Sequence, residues 1–161
     1  MGLQVVEHEL TTTASPAAVY ALLSDGSTWP EWSPIDSFEL EKSGVGTQEG
    51  AGAGAGEGIG AVRLFTTGRV RSRERVVAAQ PNELFSYTLI SGLAVRDYRA
   101  VITLRPSDSG GTVIHWRSTF KAKIPGTGWI YQRQLNSFIG RTVNGLALWA
   151  TTSNVGRTEP G

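Results

Sequence analysis

The stretch Trp129–Thr152, WIYQRQLNSFIGRTVNGLALWATT, decides how this chain folds. Leu135, Phe138, Ile139, Thr142, Val143, Leu146, Trp149 and Ala150 recur at helical spacing and form one apolar stripe. No other segment has a long helical period. Nearly everything from Glu39 to Lys123 reads as strand. A single terminal helix after a long antiparallel run predicts an α+β protein. In it a curved antiparallel sheet wraps around the C-terminal helix, with a cavity between them.

Working towards the N-terminus, Thr112–Lys121, Asp97–Arg105, Glu83–Ser91, Arg69–Ala79 and Gly60–Thr66 read as strands. Their breaks carry turn residues: Ser109-Gly110-Gly111, Pro81-Asn82 and Thr67-Gly68. Connections this short predict an antiparallel meander. Ser37–Lys42 adds a strand and Leu3–Thr11 the first one. Between those two, Ser15-Pro16 opens a short helix, with Ser15 as cap and Pro16 at the first helical position. Trp29-Pro30-Glu31-Trp32-Ser33-Pro34 is a stiff turn or second small helix that plugs the junction with the sheet.

Ser43–Gly60 is the one low-complexity stretch. Its alternating Gly-Ala core has almost no side chain to bury, so 44–58 is expected to be mobile, as a surface insertion or as a lid. Residues 1–155 form one domain in this reading, and 156–161 a flexible tail.

Side chains alternate across a strand, so the apolar set fixes the inner face. Phe85, Tyr87 and Leu89, then Tyr98, Ala100, Ile102 and Leu104, then Ile114, Trp116, Ser118 and Phe120 point inward. A hairpin at Thr67-Gly68 pairs Phe65 with Val70 and Arg63 with Ser72. If Phe65 is inside, then Arg63, Val70, Ser72, Glu74 and Val76 accompany it. Arg63 and Glu74 become diagonal neighbours on the concave face. Removing each ion from water costs several kcal/mol, so the pair points to a wet cavity or a polar ligand group. The opposite register would turn Arg63 and Phe65 outward instead.

The net charge of +1 gives no global field for nucleic acid or an anionic membrane. There are no cysteines and two histidines, so neither a thiolate nucleophile nor a His-rich metal site is expected, and no cofactor. No stretch looks like a signal peptide or a membrane span, which predicts a cytoplasmic protein without stable membrane insertion. Arg69, Arg71, Arg73 and Arg75 form an outer basic stripe without interleaved aromatics, read as a solvated face and not as a nucleic-acid site. His8 faces inward with Val6 and Leu10.

In sequence order, Ala14–Tyr20, Trp29–Pro34, Gly60–Arg63, Arg73–Val77 and Gly110–Thr112 resemble the START-like, or SRPBCC, superfamily. The nearest likeness is to its bacterial polyketide cyclase/dehydrase and lipid-transport branch. The resemblance implies the helix-grip fold and a cavity for lipids, polyketides or other apolar small molecules. It does not by itself imply catalysis. The Gly-Ala insertion departs from the common pattern.

The first functional expectation is therefore a binding module for an apolar small molecule with one polar end. Phe65, Tyr87, Tyr98, Trp116, Leu135 and Ile139 would contact the apolar body, and His8, Arg63 and Glu74 would supply polar groups. The second is a cyclase/dehydratase, with Glu74 or His8 as base, Arg63 holding an enolate and Tyr87 or Tyr98 donating a proton. The third is a protein-interaction module using the outer arginine face. Monomer and homodimer are both compatible with the sequence.

Overall fold

A computed structural model of the chain describes residues 2–45 and 57–155, with the side chains of 153–155 left out. The Gly-Ala core at 46–56 and the tail at 156–161 lie outside the described residues, and so do the expectations made for them.

Strand β1 (Gln4–Thr12) is followed by α1 (Pro16–Ser24), a 3-10 turn at Gly26–Thr28 and α2 (Trp29–Trp32). Six strands come next: β2 (Ser37–Lys42), β3 (Val62–Thr67), β4 (Val70–Gln80), β5 (Leu84–Ser91), β6 (Val95–Pro106) and β7 (Thr112–Ala122). Helix α3 (Gly128–Val155) closes the chain. All strands join one antiparallel sheet in the order β1-β7-β6-β5-β4-β3-β2. This is the helix-grip fold.

Local chemistry sets the ends as expected. The Ser15 hydroxyl accepts from the Ala18 N–H, and Pro16 occupies the first turn of α1. Asp25 caps the 3-10 turn through the Ser27 N–H. Ile139, Thr142, Val143, Leu146 and Ala150 bury the α3 stripe against the sheet and α1. Trp149, at the end of that stripe, is 37% exposed.

The β3–β4 hairpin needs a correction. Its turn is Gly68-Arg69, with Gly68 at φ +58°, the left-handed residue a two-residue hairpin turn requires. Thr67 therefore faces Val70, Phe65 faces Ser72, and Arg63 faces Glu74 directly. The expected register was off by two residues. A shift of two preserves the faces, so Arg63, Phe65, Ser72 and Glu74 still share one side.

Candidate functional site

A cavity of about 720 Å³ opens between the sheet and the first half of α3. Its sheet wall includes Val70, Ser72, Glu74, Tyr87, Leu89, Tyr98 and Trp116. Trp29 closes the inner end, and Tyr131, Leu135, Phe138 and Ile139 form the helix wall.

Six of the residues expected at a ligand site lie on this wall: Glu74, Tyr87, Tyr98, Trp116, Leu135 and Ile139. Three do not. His8 lies between β1 and α3, its Nε2 3.1 Å from the Asn136 carbonyl oxygen, and a Cβ at Gly140 would come within 3.1 Å of its ring. Phe65 is buried against Trp29 and Phe38. Arg63 is fully buried behind the cavity wall.

The position of Arg63 overturns the expectation that both members of the polar pair project into the cavity. Its partner is Glu57, not Glu74: Arg63 Nε lies 3.5 Å from Glu57 Oε1. Arg63 Nη1 donates to the Leu23 carbonyl at 3.3 Å. The guanidinium carbon sits 4.8 Å from the Trp29 ring centroid, 4.9 Å from Phe65 and 5.1 Å from Phe85. Three aromatic faces thus replace part of the lost hydration.

Glu57 is the residue that the sequence reading missed. The expectation of a mobile 44–58 segment includes it, yet it is buried, with its carboxylate accepting the Gly26 N–H at 2.8 and 3.1 Å. Gly26 is needed there, because a Cβ would come within 2.7 Å of Glu57 Oε1 and would overlap the Phe38 ring. Burial lowers the proton affinity of Arg63 and raises that of Glu57, and each charge partly offsets the effect on the other. The available signal was a carboxylate directly after the Gly-Ala core, six residues before Arg63.

Glu74 has a different environment. Its Oε2 is buried and makes no hydrogen bond among the described residues. Burial pushes its carboxyl up to about 8, and Arg63 only partly counters this. At neutral pH Glu74 is therefore mainly a neutral acid that can donate a proton or a hydrogen bond. The Tyr98 hydroxyl donates to Ser118 Oγ at 3.1 Å. Burial raises the Tyr98 phenol to about 12 and the Tyr87 phenol well above its usual range, so both remain protonated donors. The Trp116 indole N–H is buried without a partner among the described residues. The wall is thus apolar and aromatic, with hydrogen-bond donors set into it.

Among the described residues no group of His, Asp or Glu could hold a metal, and no helix is long and apolar enough to cross a membrane.

This architecture defines a helix-grip protein with an internal cavity. Residues 4–147 match the family described as polyketide cyclase / dehydrase and lipid transport, and the chain belongs to that family. No curated protein sequence matches it. Its fold is similar to a START superfamily protein from Mycobacterium smegmatis, at 13% identity and a TM-score of 0.73, covering 92% of this chain and 98% of the other. It is also similar to the protein XoxI from Bacillus cereus, at 18% identity and a TM-score of 0.69 over 94% and 96% of the two chains. Ara h 8.0201 aligns at 19% identity and a TM-score of 0.68 over 94% and 99%.

Proposed function

We propose that the protein binds an apolar small molecule with one polar end in the cavity between the sheet and α3. The observation that carries this reading is the cavity itself. Its volume of about 720 Å³ suits a small-molecule site, and its apolar wall has few polar groups to fix orientation. A packed core would fill such a space, since interiors tolerate few voids. The polar end fits Glu74, where a neutral carboxyl, the Tyr87 hydroxyl and the Trp116 N–H offer donors to a carbonyl or hydroxyl oxygen.

The test is uptake of N-phenyl-1-naphthylamine, a neutral apolar dye that fluoresces when shielded from water. The expected result is saturable binding, weakened at least tenfold when Leu89→Trp fills the cavity. Absence of binding, or equal binding by the filled variant with an unchanged fold, would refute the reading.

One observation favours a second reading, an enzyme of the cyclase/dehydratase type. A cavity carboxyl that titrates near neutrality beside two tyrosines suits general acid–base work. Two groups that this mechanism would use, Arg63 and His8, lie outside the cavity wall, which ranks it second. Turnover of a poly-β-ketone analogue that disappears in Glu74→Gln would reverse the ranking. The open cavity also counts against a pure protein-interaction module with a filled interior.

A further inference from the structure

The cavity mouth carries exposed apolar side chains that the ligand reading leaves unused. Trp129 and Ile130, in the first turn of α3, line the mouth and are 64% and 37% exposed. Val70, beside the β3–β4 turn, lines it from the sheet side and is also exposed. Ile124, 53% exposed, belongs to the loop leading into α3, which is tied to this end of the sheet by the Lys123 N–H to the Ala94 carbonyl. Trp129, Ile130 and Val70 are thus exposed on one cavity rim, with Ile124 exposed a few residues before α3, and exposed apolar side chains grouped in this way mark contact surfaces.

The charges around the patch have one predominant sign. Lys123 and Arg133 are exposed in the same segments, and Arg69 is exposed in the hairpin turn next to Val70, where the exposed Asp36 accepts the Gly68 N–H and is an acid beside the patch. From Ser109 to Thr158 the chain contains no Asp or Glu. The first turn of α3 therefore has no acidic residue, and its positive helix end is not neutralised. The net charge of +1 conceals this asymmetry, because many acids gather on β1 and β2, at Glu7, Glu9, Glu39 and Glu41.

We propose that this rim docks the cavity mouth onto an anionic lipid bilayer. Trp129, Ile124 and Ile130 would enter the headgroup boundary while Lys123, Arg133 and Arg69 face the phosphates. Aromatic and aliphatic side chains flanked by Lys and Arg are the composition that settles at that boundary. The basic groups select anionic over zwitterionic lipid. The attachment is peripheral. It also opens the cavity directly onto the phase from which an apolar ligand would come. The rim argument does not depend on what the cavity holds.

The experiment is co-sedimentation of the full chain with vesicles of pure phosphatidylcholine and of phosphatidylcholine containing 30% phosphatidylglycerol. Binding to the anionic vesicles is expected to be at least tenfold stronger, and to fall severalfold in 0.5 M salt. Ile124→Ser with Trp129→Ser should lose at least tenfold in binding with an unchanged melting temperature. Leu148→Ser, an equally exposed change near the far end of α3, should retain binding. Failure to bind anionic vesicles, or undiminished binding by the double variant, would overturn the proposal. So would a concentration-dependent dimer that the double variant abolishes, because the patch would then be covered by a second copy. Lys123→Glu with Ile124→Ser, at two residues that do not line the cavity, should take up the dye like the unaltered chain while losing binding to anionic vesicles severalfold, which separates this test from that of the cavity.

Discussion

Arg63 and Glu74 face each other across one pair of strands, point to the same side of the sheet, and live in opposite circumstances. Arg63 is sealed behind Trp29 with Glu57, a backbone carbonyl and three aromatic faces, although its Nε and Nη2 make no hydrogen bond among the described residues. Glu74 is on the cavity wall with a carboxylate oxygen that nothing described satisfies. A concave face is therefore not one environment. The part of it under α1 and α2 is buried and closed, and the part under the first half of α3 is open. The Arg63 charge in the first region is bound to the fold, and the Glu74 carboxyl in the second lines the cavity.

Breaking the closed node should have the largest effect. Arg63→Met leaves Glu57 buried without its cation, and removing one partner of a buried pair costs about 3–5 kcal/mol. Urea unfolding should show that loss. Arg63→Met combined with Glu57→Gln should recover much of it, because neither charge then remains. Additive losses in the double variant would mean that the two residues do not act as a pair.

The next largest effect separates the two regions by sign. The folded-state pKa of Glu74, about 8, lies above the usual carboxylate value. Below the unfolded value the group is protonated in both states and adds no pH dependence. As pH rises towards 8, the unfolded chain releases this proton and the folded chain keeps it, so stability falls across that window. Glu74→Gln removes the penalty. The variant should gain on the parent as pH rises towards 8, by at most about 1.4 kcal/mol per pH unit, and should differ from it little near pH 4. Melts across this range check it, and a variant destabilised at pH 8 would place Glu74 with Arg63 as a structural ion.

These contrasts also show what the sequence could and could not convey. Alternation placed Phe65, Ser72, Glu74, Tyr87, Tyr98 and Trp116 on the concave side, and a two-residue slip at Gly68 left that unchanged. The α3 stripe was legible because its period spans many turns. The division of the concave face into closed and open parts was not legible. It depends on where Trp29 and the small helices land, and periodicity identifies a face without saying what covers each part of it. Glu57 was hidden for a related reason: its partners, Gly26 and Arg63, are brought to it by the fold, and its neighbours have no pattern from which to infer an inward side chain.

The smallest effect lies at the boundary between the regions. Tyr98 lines the cavity and also has a structural partner, since its hydroxyl donates to the buried Ser118. Its ring stacks at 6.2 Å on Tyr87 and at 6.1 Å on Phe120, so Tyr98→Phe keeps the packing and removes only the hydroxyl. The lost hydrogen bond should cost about 1 kcal/mol. Dye binding should change less than twofold, because the hydroxyl is directed at Ser118 and not at the ligand space. Ser118→Ala should lower stability by a similar amount from the other side of the bond, and the double change should cost little more than either single one. If Tyr98→Phe instead leaves stability untouched and weakens dye binding severalfold, the open region includes the Tyr98 hydroxyl, and the boundary between the two regions must be moved.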